Sequence, residues 1–291
     1  MVEKKTLGEH IFDVFNTALM IILCLVFIYP FIYEVNLSIS DSATASRMSL
    51  RLLPSLPPEF TAYKEILTNP AFLLSVENTL IRTIGGTALT VLATFFGAWV
   101  LSKRRMPLNR LMTIMILFTM FFSGGLIPTY LNMKKLGLIG TRWALILPSL
   151  TSAWYLLIAR NFISSLPASL EEAAVIDGAG VLDILFRIVM PLSKPVMAVI
   201  ALWSSLGHWN SWYDAMLYAP SKKLTVLSLY LRRILVENSK DDITGLVENQ
   251  RMTPETVKAA IIVVSVFPLV AAYPLFQRYF IKGVQVGAVK E

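Results

Sequence analysis

Residues 169–195 read SLEEAAVIDGAGVLDILFRIVMPLSKP, with four acids (Glu171, Glu172, Asp177, Asp183) and two bases (Arg187, Lys194). The neighbouring runs 143–159 and 195–213 contain no Asp, Glu, Lys or Arg. A charged insert between two greasy runs marks a place where the chain leaves hydrocarbon. Leu170, Ala173, Ala174 and Ile176 fall on one side of a short helix. Glu171 and Glu172 sit in its first turn, where carboxylates favour the positive end of the dipole. Gly178 and Gly180 then permit a sharp turn. A second amphipathic piece, VLDILFRIVM, follows and is closed by Pro191 and Pro195. The stretch specifies a helix–turn–helix outside the bilayer, with small exposed residues on which another protein can dock closely.

The composition of the whole chain fits that setting. Of 291 residues, 55% are hydrophobic and 15% charged, against roughly 25% charged in soluble domains. A net charge of +7 raises nucleic acid as a ligand, but no run of five or six bases exists and the aromatics lie in apolar segments. Bases at the ends of membrane spans are the better account. The lone Cys24 supports neither a disulfide framework nor a cysteine metal site, and two distant histidines make no metal cluster.

Six runs are free of acids and bases: 14–33, 83–102, 111–133, 143–159, 195–213 and 259–277. Each approaches the roughly 20 residues needed to cross the bilayer. Lipid offers no partner for an open backbone, so all six are expected to be helices. The fold expected is an all-α membrane protein of one domain, 1–291, with spans near 14–37, 76–102, 108–133, 142–162, 194–218 and 257–280 and a loop at 166–193. The first run is longer than the roughly 7–15 residues of a signal-peptide core, so it reads as an uncleaved helix. Basic residues do not orient the six: SKRRMPLNR favours an inner position for one loop, whereas the outer side would carry seven bases in 220–258 alone. A short helix is expected near LTVLSLYLRRILVEN in that segment. Ala93 and Gly97, four apart, provide a face for close helix packing.

The insert carries a resemblance. Glu172-Ala173-Ala174, Gly178, and Ile188-x-Met190-Pro191 at their spacing resemble the EAA signature of ABC importer permeases, with Met190 where the family usually has Leu. FFSGGLIPTYL, WALILPSL, HWNSWYDA and the tail FQRYFIKGVQVGAVKE extend the likeness over nearly the whole chain. Together they are similar to the carbohydrate-importer permeases, akin to the second membrane subunit of the maltose system and to the branch for pectin- or alginate-derived oligosaccharides.

That resemblance implies a type I ABC importer permease fold, with the 166–193 loop facing the cytoplasm and entering a cleft on an ATP-binding subunit. Glu171, Glu172, Ala173, Ala174, Asp177, Gly178, Ile188 and Pro191 would form the docking surface. Both termini would be cytoplasmic, in a bacterial cell membrane. The implied partners are a second related permease, two copies of the ATP-binding subunit, an extracellular or periplasmic sugar-binding protein and the lipid bilayer, with no nucleic acid. No GxxxxGKS or GxxxxGKT phosphate loop occurs, so the chain is expected to be no enzyme and to hold no cofactor; ATP and Mg would belong to the ATPase.

The residues themselves suggest a saccharide path. WSSLGHWNSWYDAMLY, 203–218, gathers Trp203, His208, Trp209, Asn210, Trp212, Tyr213 and Asp214 in about three turns. On one helix Ser204, His208 and Trp212 share a face, as do Asn210 and Asp214. Amide, imidazole and carboxylate groups bind sugar hydroxyls, and indole and phenol rings stack on sugar faces. Two readings stand: a water-filled cavity, or an aromatic belt at the outer interface with Asp214 solvated. Gly124 and Gly125 with Ser123 and Pro128 break the third span, either as part of a gate or substrate contact, or as a packing kink. Arg82 and Glu77 either pair with one another or line the cavity mouth. The function expected is import of an oligosaccharide, acidic ones from plant or algal polysaccharide included. The alternatives are an importer of an amino acid or phosphonate and, more remotely, a secondary transporter, which would need inverted repeats and a mid-membrane acid.

Overall fold

The computed structural model describes residues 6–41, 45, 57–103, 106–236 and 253–288. Most of the linker between the first two spans, and 237–252 of the later polar segment, lie outside the described residues. Every regular element among the described residues is helical: α1 (Leu7–Ser38), α2 (Thr61–Thr68), α3 (Pro70–Ser102), α4 (Asn109–Phe121), α5 (Leu126–Lys135), α6 (Ala153–Ser164), α7 (Ala168–Ile176), α8 (Val181–Leu192), α9 (Lys194–Asn210), α10 (Tyr213–Tyr218), α11 (Leu227–Leu235) and α12 (Pro254–Ala288). Short 3-10 turns at Arg142–Leu145, Leu147–Ser149 and Lys222–Leu224 complete the set.

Three helices are long and apolar enough to span alone: α1, α3 and the first part of α12. Counting each of three bent pairs as one span brings the total to six: α4 with α5 at 114°, Arg142–Ser149 with α6 at 52°, and α8 with α9 at 71°. The third span breaks at 122–125, where the Ser-Gly-Gly sequence predicts it. The break is far larger than a packing kink. Gly125 has φ +88°, which a side chain would strain, and nothing lies near where a Cβ would sit. The fifth span also breaks, at 211–212, so Asp214 belongs to α10 rather than to the helix of Asn210. The two do not share a helix face as expected.

The chain forms two compact units, 1–69 with 233–267 and 70–232 with 268–291. In the first, a capping box starts α1: Thr6 accepts from the Glu9 amide while Glu9 accepts from the Thr6 amide. None of the most apolar window of α1 is covered by its own chain. Ser38 and Tyr63 share a hydroxyl hydrogen bond of 2.6 Å that joins the end of α1 to α2.

The second unit is built around α3, against which α6 and α9 pack. Its core joins Phe95 and Ala98 of α3, Ala159 and Ile163 of α6, Ile184, Leu185 and Val189 of α8, and Val196, Met197 and Ile200 of α9. Gly97 makes the α3–α6 contact possible, since a Cβ there would lie 2.8 Å from Leu156 Cδ1. Residues 184–189 of α8 are π-helical, and that widened turn goes with Ile184, Leu185 and Val189 all being buried. At the opposite end, Leu145, Ala215, Ala219, Val226 and Leu229 form a second cluster.

Candidate functional site

The helix–turn–helix of residues 168–192 is the first element of the site. The Asp177 amide donates to Ala173 at 3.0 Å and that of Ala179 to Ala174 at 2.9 Å, closing α7 through Gly178 at φ +82°. That left-handed position is glycine's. Glu172, Ala173, Asp177, Gly178 and Pro191 are exposed, whereas Ala174 packs on the core beneath and Ile188 is half-buried. Glu171 faces its own chain, accepting an ion-pair hydrogen bond from Lys103 at the end of α3. Val175, Ile176, Val181 and Leu182 join the exposed set, Ile176 being 85% exposed. Sequence reasoning left these four out of the docking surface, although it put Ile176 on the same side of the helix as Ala173 and Ala174. Their signal is present, because apolar residues crowd both sides of a glycine turn that needs none.

The second element is the break in α9–α10. Arg82, only 2% exposed, reaches from α3 to this break. Its Nη1 donates to the Ser211 carbonyl at 3.0 Å and to Asp214 Oδ1 at 3.2 Å, while Nη2 is paired with Asp214 Oδ2. Asp214 also accepts from Ser211 Oγ at 2.7 Å, and Ser228 Oγ donates to the Ser211 carbonyl at 2.8 Å. These side chains satisfy the backbone that the break frees, as a buried break requires. Of the two readings for Glu77 and Arg82, the pairing of one with the other is not what the structure shows. Residues five apart do not face each other on a helix, and Glu77 instead lies 3.5 Å from Arg142 with both exposed. Nor is Asp214 merely solvated.

Next to the break is a cavity of about 160 Å³ lined by Arg82, Ser149, Tyr155, Ser204, Gly207, His208 and Ser211. His208 is 4% exposed, and its Nδ1 has no partner, nor does Arg82 Nε. The imidazole lies in a niche on α3 cut by Gly86, where a Cβ would lie 2.5 Å from His208 Nε2. The remaining candidates divide. Trp203 is 38% exposed and stacks on Tyr155 with 6.1 Å between centroids, while Trp209 is buried. Asn210 is exposed, its amide donating to the Leu206 carbonyl at 2.9 Å. Trp212 is half-buried, with the Arg232 guanidinium 3.8 Å from its ring centroid and Tyr213 edge-on at 5.5 Å. Gly124 and Gly125 lie apart, exposed at the α4–α5 break. A larger cleft, about 740 Å³, lies among Ala93, Thr94 and Gly97 of α3, Thr119 and Met120 of α4, and Trp154 of α6.

The two elements present an exposed, partly apolar turn and a buried, hydrogen-bonded helix break. Among the described residues no group of His, Cys, Asp or Glu is placed to hold a metal ion.

Comparison with known proteins gives a concordant result. The family model described as "Binding-protein-dependent transport system inner membrane component" matches residues 87–286. Protein LplC of Bacillus subtilis (strain 168) is 37% identical over 98% of this chain and 97% of its own. The polygalacturonan/rhamnogalacturonan transport system permease protein YtcP of the same organism is 34% identical over 97% of this chain and 99% of its own. A chain in the crystal structure of a bacterial ABC transporter involved in the import of the acidic polysaccharide alginate superposes with TM-score 0.90 and 34% identity. The match covers 96% of this chain and all of that one.

Proposed function

This chain belongs to the binding-protein-dependent transport system inner membrane component family, and from that premise we propose that it carries oligosaccharides across the bacterial cell membrane. It is a multi-pass, non-catalytic permease subunit of an importer. A second, related permease completes the path, two ATP-binding subunits dock below and an extracellular or periplasmic binding protein delivers the saccharide. The observation that carries this reading is the 168–192 hairpin. Its exposed apolar residues Val175, Ile176, Val181 and Leu182, with Glu172 and Asp177 beside them, cluster around the Gly178 turn between α7 and α8. That surface suits the cleft of an ATPase.

The hairpin then faces the cytoplasm, and both termini with it. The break at 211–212 and the residues around it lie toward the outer side. Saccharide meets Trp203, Asn210 and Tyr213, which are exposed on or just beyond α9; at this depth an exposed amide faces water or a partner rather than lipid. Nucleotide-driven movement of the ATPases pulls on α8, which shares a core with α3, α6 and α9. The result is a two-state switch between inward and outward openings, biased by ATP on one side and by the loaded binding protein on the other.

The decisive experiment replaces Glu172 or Gly178 with Arg. Membrane insertion stays normal, uptake is lost and the ATP-binding subunit no longer co-purifies. Retained co-purification and uptake would remove the docking role. Orientation is tested separately: a cysteine at Asp177 that reacts in intact cells with a membrane-impermeant reagent would invert the arrangement.

A further inference from the structure

We infer that the cavity beside the 211–212 break is a saccharide subsite that takes the uncharged, hydroxylated edge of one sugar ring. This rests on the importer reading above and adds a chemical preference to it. The cavity is built rather than incidental. Two of its lining side chains, Arg82 and His208, are at least nine-tenths buried, and among the described residues Arg82 Nε and His208 Nδ1 have no hydrogen-bond partner. A buried nitrogen without a partner is costly in hydrocarbon, and the side chains of Tyr155, Ser204 and Ser211 add hydroxyls to the same lining. Gly86 has the complementary task. Any side chain there would occupy the imidazole's own place, at 2.5 Å.

Its size and charge set what enters. About 160 Å³ is room for roughly five waters at about 30 Å³ each, enough for the edge of one ring and too little for a chain. Arg82 is already neutralised by Asp214 through both Nη atoms, so the cavity has donors but no surplus positive charge. A uronate carboxylate placed there would find the charge of Arg82 already engaged by Asp214. Hydroxyls meet no such opposition, and Ser204, Tyr155 and His208 can donate to them or accept from them. The Tyr155–Trp203 ring pair beside the cavity offers an apolar surface to the C–H face of the sugar. Acidic groups of a mixed saccharide are therefore carried outside this pocket.

The test uses the assembled transporter in lipid nanodiscs, with Cys24→Ser and Ser204→Cys, and a small cationic methanethiosulfonate as reporter. Maltotriose, trigalacturonate and its methyl ester are the probes. The reagent modifies position 204, and a saccharide that the wild type imports slows that modification at least fivefold, the methyl ester more than the free acid. In cells, His208→Ala lowers uptake at least tenfold through KM with the ATP-binding subunit still bound, and His208→Gln restores most of it. Gly86→Ala reproduces the His208→Ala defect without touching the imidazole covalently. An unreactive position 204, or no slowing by an imported saccharide, overturns the subsite. Stronger protection by the free acid overturns its charge preference. Wild-type cells that import none of the three sink the oligosaccharide reading itself, and the subsite with it.

Discussion

Asp214→Ala removes the carboxylate set against Arg82 while leaving the guanidinium 2% exposed, with the Ser211 carbonyl still accepting from it. Breaking a buried pair by deleting one partner costs about 3–5 kcal/mol. The Asp214 side chain keeps 19% of its exposure, which points to the lower end, about 3 kcal/mol. That is roughly a 100-fold change in the folded ratio, and at about 2–4 °C per kcal/mol a fall in Tm of about 6–12 °C. Replacing both partners, Arg82→Met with Asp214→Leu, recovers most of the loss, because no charge is left to desolvate. Ser228 Oγ still donates to the Ser211 carbonyl at 2.8 Å, so the break stays capped. The assay is retention of a monodisperse peak after heating in detergent, for wild type, both single variants and the double. A shift under about 2 °C for Asp214→Ala, or a double variant as unstable as the summed singles, would refute the argument that the pair is a desolvated clamp.

Gly97→Leu forces a side chain into Leu156 and costs about 1–3 kcal/mol, seen as a lowered Tm with hairpin docking intact. Gly125→Ala meets open space but must hold φ +88° with ψ 174°, at about 1–3 kcal/mol; its mark is a Tm decrease that Gly124→Ala, without that dihedral, does not show. Glu171→Lys breaks the link to Lys103. Both partners are about a third exposed, so stability changes by no more than about 1 kcal/mol, but uptake per ATP hydrolysed falls, and the charge swap with Lys103→Glu restores it.

Much of the architecture is local and therefore readable. Charge-free runs locate the spans, because hydrocarbon excludes ions one residue at a time. The hairpin is set by Gly178 between two short amphipathic pieces, and the third-span break by Ser123-Gly124-Gly125. The tertiary pairings were not legible. Lys103 finds Glu171 from 68 positions away and Arg82 finds Asp214 from 132. Periodicity extends over a few turns and says nothing of such partners. One hint was available: Arg82 immediately precedes one charge-free run and Asp214 immediately follows another, so opposite charges terminate two neighbouring spans at the same depth. The 211–212 break escaped because Ser and Trp are not helix breakers; Arg82 and Ser228 stabilise the opened backbone from outside.

Among the described spans, α3 has neither a break nor an internal proline; α1 contains Pro30 and α12 contains Pro268 and Pro274. It is gripped at Lys103 by the hairpin and at Arg82 by the fractured fifth span, points about 30 Å apart at 1.5 Å per residue. A stiff strut fastened at both ends cannot absorb movement along its length. A tilt of about 10° imposed at the Lys103 end would carry the Arg82 end through about 5 Å, close to one helical turn.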